Sequence, residues 1–200
     1  MTIHIFGGGT VQPVRSHLAL CAPAYGRTAR YLFDHIASAA KLHLTRMADY
    51  QSCMETNEDV EARLHEVLDD PAARVVVFNV ALCDYTGQIG DIPSGKHAER
   101  LSSRDGDQVM RLTPTVKLLQ QVKVSRPDIT LVGFKTTSNL DQKEQHVLAL
   151  RQIAETQADF VFANDLVTRH NMLVREFGFW SGTRESMLTM LLTELRRLHA

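Results

Sequence analysis

The chain has 200 residues, a formal net charge of −1 from 22 Lys and Arg against 23 Asp and Glu, and 44% hydrophobic residues. That length suits one domain, residues 1–200, burying roughly 70% of its unfolded surface. The charge balance argues against a partner as anionic as nucleic acid, no apolar run reaches the roughly 18 residues of a membrane span, and three scattered cysteines without a CxxC pair point to free thiols in a reducing, cytoplasmic setting.

The elements alternate along the chain. Thr2–Phe6 reads as a first strand, followed by Gly7-Gly8-Gly9-Thr10. Tyr25–Ala40 has apolar residues at helical spacing, and Leu42–Thr45 is a short second strand. Asn57–Leu68 is an amphipathic helix with Asn57 as the expected N-cap. Arg74–Val80 is the third strand, and Thr86–Asp107, rich in Gly and polar residues, reads as a long loop or lid. Val116–Val124 is helical and Thr130–Phe134 is a buried strand. Leu140–Thr156 is a helix capped by Ser138 or Asn139. Phe160–Ala163 is a strand, Asn171–Glu176 a strand or half a hairpin, and Thr183–Leu198 a closing helix. This pattern predicts an α/β fold: a Rossmann-like, mostly parallel sheet with helices on both faces and a long flap after the third strand.

The candidate site residues fall at strand ends. The run Val75–Tyr85 is apolar and β-branched, then breaks into small residues and Asp84-Tyr85. In open α/β sheets, ligands sit outside the carboxyl ends of the strands. Asp84 is therefore placed to accept hydrogen bonds from a base or ribose. Phe134 and Asn164 end two other strands in the same way, and Asn164 suits a substrate amide. Gly8, Gly9 and Thr10 suit either a phosphate cradle or a tight turn. Gln12 stands where a dinucleotide fingerprint needs Gly, and Pro13 opposes an immediate helix. Lys96 and Arg100 lie in the lid and could close over phosphates. Nine histidines lack HxH or HExxH spacing, so no metal site is expected.

Together these segments resemble the phosphopantothenate–cysteine ligase family, commonly the C-terminal half of a bifunctional coenzyme A biosynthesis flavoprotein. Gly8-Gly9-Thr10 is similar to its opening GGT, Pro13-Val14-Arg15 to its PVR, and Val80-Ala81-Leu82-Cys83-Asp84-Tyr85 to its AAVADY. Arg100-Leu101-Ser102-Ser103 resembles its flap element K-I-x-S. Leu112–Leu119, Val132-Gly133-Phe134 and Ala158–Asp165 follow in the family's order. The resemblance implies a nucleotide-dependent ligase that joins 4′-phosphopantothenate to L-cysteine through an acyl-nucleotide intermediate, with CTP or ATP as cosubstrate and Mg²⁺. It implies Gly8, Gly9 and Thr10 at the phosphates, Ala81 and Asp84 at the base, Phe134 at the ribose, and Arg15 and Asn164 at the acyl substrate. It also implies a cytoplasmic homodimer. The family's flavin-binding half has no counterpart in these residues, so no flavin is expected.

The departures from the family are specific. In its motif R-x-x-x-N-x-S-S-G-K-x-G, Arg15 and Gly26 keep their spacing, but the asparagine falls on Ala19 and SSGK on Cys21-Ala22-Pro23-Ala24. Two helix lysines fall on Gln152 and Thr156, and the flap lysine falls on Arg100, with Lys96 nearby. Lys135 stands where the family has a small residue and is expected to supply a missing phosphate cation. Lys96, Arg100 and Lys135 are the expected catalytic cations. Two other readings stay open: a catalytically impaired nucleotide-binding or regulatory homologue, or an NAD(P)-dependent oxidoreductase.

Overall fold

The computed structural model describes residues 2–199. A seven-stranded sheet is built from β1 (Thr2–Gly9), β4 (Ala40–Leu44), β5 (Ala73–Ala81), β8 (Thr130–Thr137), β9 (Phe160–Asp165), β10 (Asn171–Arg175) and β11 (Gly178–Gly182). Its order is β11-β10-β9-β8-β5-β1-β4. From β4 to β9 the strands run parallel, and β10 and β11 close one edge antiparallel. The direction of winding reverses beside β1. β4 lies on one side of it and β5 on the other, so the crevice belongs at this switch point.

Two layers of helix cover the sheet. α1 (Arg27–Ile36) and α5 (Arg184–His199) cover one face, and α2 (Asn57–Asp69), α3 (Leu118–Ser125) and α4 (Gln142–Thr156) cover the other. Strand alternation explains both cores. Ile5, Val77 and Phe162 point toward Ala29, Leu32 and Leu191, while Phe6, Val76 and Val161 point toward Leu64, Val122 and Ala149. Because the strands are buried on both sides, they read in the sequence as continuous apolar runs. Each such fully buried side chain contributes about 1.5–3 kcal/mol.

The predicted fold class is the observed one. The corrections are local. The cap of α2 is Thr56, one residue before Asn57; its hydroxyl accepts from the Asp59 amide at 3.2 Å while the Asp59 carboxylate accepts from the Thr56 amide at 2.8 Å. α4 is capped by Asp141 and not by Ser138 or Asn139, through the same reciprocal arrangement with Glu144. Both boxes are written in the sequence as a short polar residue three positions before an acid. After Gly9 the chain enters a hairpin, β2 (Val11–Arg15) and β3 (Leu18–Cys21), that the sequence reading did not place. The stretch read as a long loop begins with β6 (Tyr85–Ile89), which pairs antiparallel with β7 (Met110–Pro114) as a separate two-stranded arm. These strands escaped detection because the arm is largely exposed and lacks a continuous apolar face.

On the sheet face covered by α2, α3 and α4, His4 Nδ1 lies 3.0 Å from His43 Nε2, beside Phe6. Burial, and then the His4 ring, push the His43 imidazole down to about 4.

Candidate functional site

A cleft of about 970 Å³ opens outside the carboxyl ends of β5, β8 and β9. Its walls are the segment from Ala22 to Thr28 that leads into α1, the segment from Thr115 into α3, and the inner face of α4. Among the residues selected from the sequence, Ala81, Asp84, Phe134, Lys135 and Asn164 all line it. The common cause is parallel strands ending at one edge, which brings residues far apart in sequence to one opening.

The remaining candidates lie elsewhere. Gly8 and Gly9 are buried and do not line the cleft. Gly8 takes φ +108°, and a Cβ there would stand 2.1 Å from Thr45 Oγ1. A Cβ on Gly9 would meet the Ala22 carbonyl at 2.0 Å. The backbone that these glycines admit is the chain's own. Thr10 is fully buried, and its hydroxyl donates to Asn57 Oδ1 at 2.6 Å and accepts from the Cys83 amide at 2.9 Å. Arg15 is 2% exposed and serves the arm, donating to the carbonyls of Val14, Ile89 and Ile92. Lys96 is drawn to Glu55, and Arg100 stands exposed in the flap.

Beneath the cleft lies a polar knot. Besides accepting from Thr10, Asn57 Oδ1 accepts from the Cys83 amide at 3.1 Å, and its Nδ2 donates to the Cys83 carbonyl at 2.8 Å. One amide thus ties the end of β1 to the turn after β5, directly before Asp84. Asn57 is free for this because Thr56 takes the capping role. A second hub sits beside Asn164. The buried Asp165 carboxylate accepts from Thr137 Oγ1 at 2.8 Å and from the amides of Asn139, Leu140, Val167 and Thr168. Burial opposes its ionisation, but these donors outweigh burial and hold the carboxyl far below the usual range.

The cleft is electropositive. Arg27, Lys117, Lys135, Arg151 and Arg184 line it, against the carboxylates of Asp84 and Glu155. Arg27, Lys117, Arg151 and Arg184 carried no signal as site residues in the sequence. They stand on four different helices or their leading segments, and only the fold brings them together.

No protein-family model matches this chain. In sequence it is 30% identical over 114 residues to the coenzyme A biosynthesis bifunctional protein CoaBC of Thermococcus kodakarensis, a stretch making up 56% of this chain and 26% of that protein. The chain thus matches about a quarter of that curated relative. Among solved structures, the DNA/pantothenate metabolism flavoprotein from Streptococcus pneumoniae superposes with a TM-score of 0.84 at 22% identity, over 100% of both chains. The C-terminal domain of CoaBC gives 0.68 at 17% identity, over 98% of this chain and 94% of that one. The fold is that of the CoaBC C-terminal domain. A Cab2 mutant in complex with phosphopantothenate-cysteine gives 0.64 at 12% identity, over 99% of this chain and 86% of that one. The resemblance read from the ordered motifs therefore stands in sequence and in fold.

Within this CoaBC-like fold, the departures have definite places. Ala22, Pro23 and Ala24 form one wall of the cleft without supplying a cation, whereas Ala19 lies exposed in β3. Gln152 and Thr156 line the cleft from α4, so the positions aligned with the family's lysines do face it. Gln152 lies flat against β8, where only a glycine at 133 leaves room; a Cβ there would stand 2.5 Å from its Nε2. The chain after Gly9 forms a hairpin and not a helix, which removes the helix N-terminus that a dinucleotide fingerprint uses.

Proposed function

We propose that this chain is a nucleotide-dependent ligase of coenzyme A biosynthesis, joining 4′-phosphopantothenate, or a close acyl variant, to L-cysteine. The observation that carries the reading is the cationic cleft at the switch point, in a chain whose net charge is −1. Such a cleft concentrates polyphosphate and stabilises charge on the phosphoryl oxygens. CTP or ATP is the proposed cosubstrate. The acyl carboxylate displaces pyrophosphate to form an acyl nucleotide, and the cysteine amine then displaces the nucleoside monophosphate. Asp84 accepts from the base once it exchanges its bond with Lys117, Phe134 packs on the ribose, and Asn164 faces the acyl part. Lys135, which has no hydrogen-bond or ion-pair partner among the described residues, neutralises phosphate, and Lys96 and Arg100 arrive with the flap.

Magnesium fits this site as an ion carried by the nucleotide. Among the described residues no group of three or more His, Cys, Asp or Glu could hold a metal. Mg²⁺ typically uses one or two carboxylates with substrate phosphates and water, and Asp84 and Glu155 are the carboxylates within the cleft. When bound, the ion would offset charge on the leaving pyrophosphate. Cytoplasmic location and a homodimer are proposed with the family; among the described residues no helix is long and apolar enough to cross a membrane.

The test is pyrophosphate release with CTP or ATP and Mg²⁺. Release that requires both phosphopantothenate and cysteine is the expected result. A nucleotide that raises the melting temperature without turnover would favour the second reading, an impaired nucleotide-binding homologue. The observation in favour of that alternative is the uncharged Ala22–Ala24 wall together with Gln152 and Thr156.

A further inference from the structure

The cations of the cleft differ in their countercharges. Lys117 is bonded to Asp84, and Arg151 reaches Glu155 at 2.8 Å. Arg27, Lys135 and Arg184 meet no carboxylate among the described residues. Of these three, two stand at one corner. Arg184, the first residue of α5, donates through Nη2 to Thr28 Oγ1 at 2.7 Å, beside Arg27 in the first turn of α1.

The Arg184 guanidinium is also held from below. It lies 5.6 Å over the ring of Phe162, which is fully buried and stacks on Phe134 at 5.4 Å. A guanidinium carries five N–H donors, and the bond to Thr28 uses one of them. One face is fixed by an aromatic ring and the rim is left with donors directed elsewhere, which is the preparation that bidentate recognition of a phosphate needs. Burial and the neighbouring Arg27 both push the Arg184 pKa down. Two guanidiniums close enough to repel, with no carboxylate between them, are relieved by a bound anion.

We propose that Arg27, Thr28 and Arg184 form a phosphate subsite at the α1–α5 corner of the cleft. The ligand is a phosphoanion, supplied by the nucleotide's phosphates or by the phosphomonoester of the acyl substrate; the choice between these two rests on the ligase reading, whereas the subsite itself does not. Phe134, at the far end of the aromatic stack from Arg184, links the subsite to the part of the cleft proposed for the ribose. The subsite also gives a physical reason why α4 can present Gln152 and Thr156 to the cleft: charge for phosphate comes from α1 and α5.

The experiment measures affinity by calorimetry on the full chain and on the Arg184→Met, Arg184→Lys and Arg27→Met variants. Methionine keeps an apolar stem over Phe162 while removing the charge. The probes are inorganic pyrophosphate, CTP, ATP, cytidine, adenosine, 4′-phosphopantothenate and pantothenate, at low and high salt. Arg184→Met should weaken at least one phosphorylated probe tenfold or more, reduce its salt dependence, and leave the matching unphosphorylated probe unchanged. Arg184→Lys should restore only part of the loss, because an ammonium lacks the planar fork. Loss confined to CTP or ATP places nucleotide phosphates there, and loss confined to phosphopantothenate places the phosphomonoester there. Pyrophosphate binding that depends on Arg184, with no nucleotide bound by the wild type, supports the subsite while overturning the ligase reading. Binding of every phosphorylated probe unchanged in all three variants overturns the subsite and, where the wild type binds nucleotide, leaves that reading standing. Equal loss of phosphorylated and unphosphorylated probes would mark Arg184 as structural only and overturn the subsite. A wild type that binds none of the probes overturns both.

Discussion

The knot of Thr10, Asn57 and Cys83 and the cluster of Arg27, Lys135 and Arg184 lie at the same edge of the same sheet and are opposite in state. In the knot, buried polar groups answer one another within 3.1 Å. In the cluster, the three cations face the cleft and meet no carboxylate of their own among the described residues. The contrast separates two uses of polarity. Groups that satisfy each other in the dry interior hold the backbone in register. Groups left unneutralised at an opening are those with something to gain from a ligand.

The comparison can be broken from either side. The largest effect is expected for Asn57→Ala, which leaves the Thr10 hydroxyl and the Cys83 backbone short of partners. Destabilisation of about 2–4 kcal/mol is expected from unmade buried bonds, read from the denaturant midpoint. A loss no greater than that of an ordinary surface substitution would reduce the knot to a packing detail. On the other side, Lys135→Ala should weaken nucleotide binding by about tenfold or more, or about 1.4 kcal/mol, with the denaturant midpoint unmoved. Unchanged affinity would remove Lys135 from the phosphate site. Thr56→Ala should cost about 1 kcal/mol through the lost cap and leave ligand affinity alone. An affinity change would show that the cap and the knot are coupled through Asn57.

The last test is a slope. The His43 imidazole titrates near 6.5 when unfolded and near 4 in the fold. Below the higher value the unfolded chain takes up a proton that the native chain refuses. Stability should therefore decline as pH falls from about 6.5 to 4. His43→Gln removes that titration, so its urea midpoint should fall less over the same window. Equal slopes in both proteins would assign the decline to other groups.

Legibility followed burial. The strand Arg74–Val80 and the helix Thr183–Leu198 were readable because each carries an apolar pattern that only a core satisfies. Asp84, Phe134 and Asn164 were found as strand-end residues and Lys135 as a departure from the family pattern, and the fold does gather all four at one cleft. Arg15 and Thr10 sat in the right motifs, yet both side chains are consumed inside the protein. Motif order shows where a residue falls in the fold and not what its side chain touches. The β6–β7 arm was hidden because an exposed hairpin is specified by its own ladder and turns, with little alternation to reveal it.

By itself the sequence determined the α/β class, the succession of its main elements and the edge at which a site must lie, because hydrophobic periodicity and local capping are written into neighbouring residues. Only the tertiary structure decided that Thr10 serves a knot, that Arg15 anchors the arm, and that Arg27 and Arg184, 157 positions apart in the numbering, share a corner. Those outcomes depend on which strands lie side by side and on which charges find partners. Both are set by packing between distant segments, which no local pattern records.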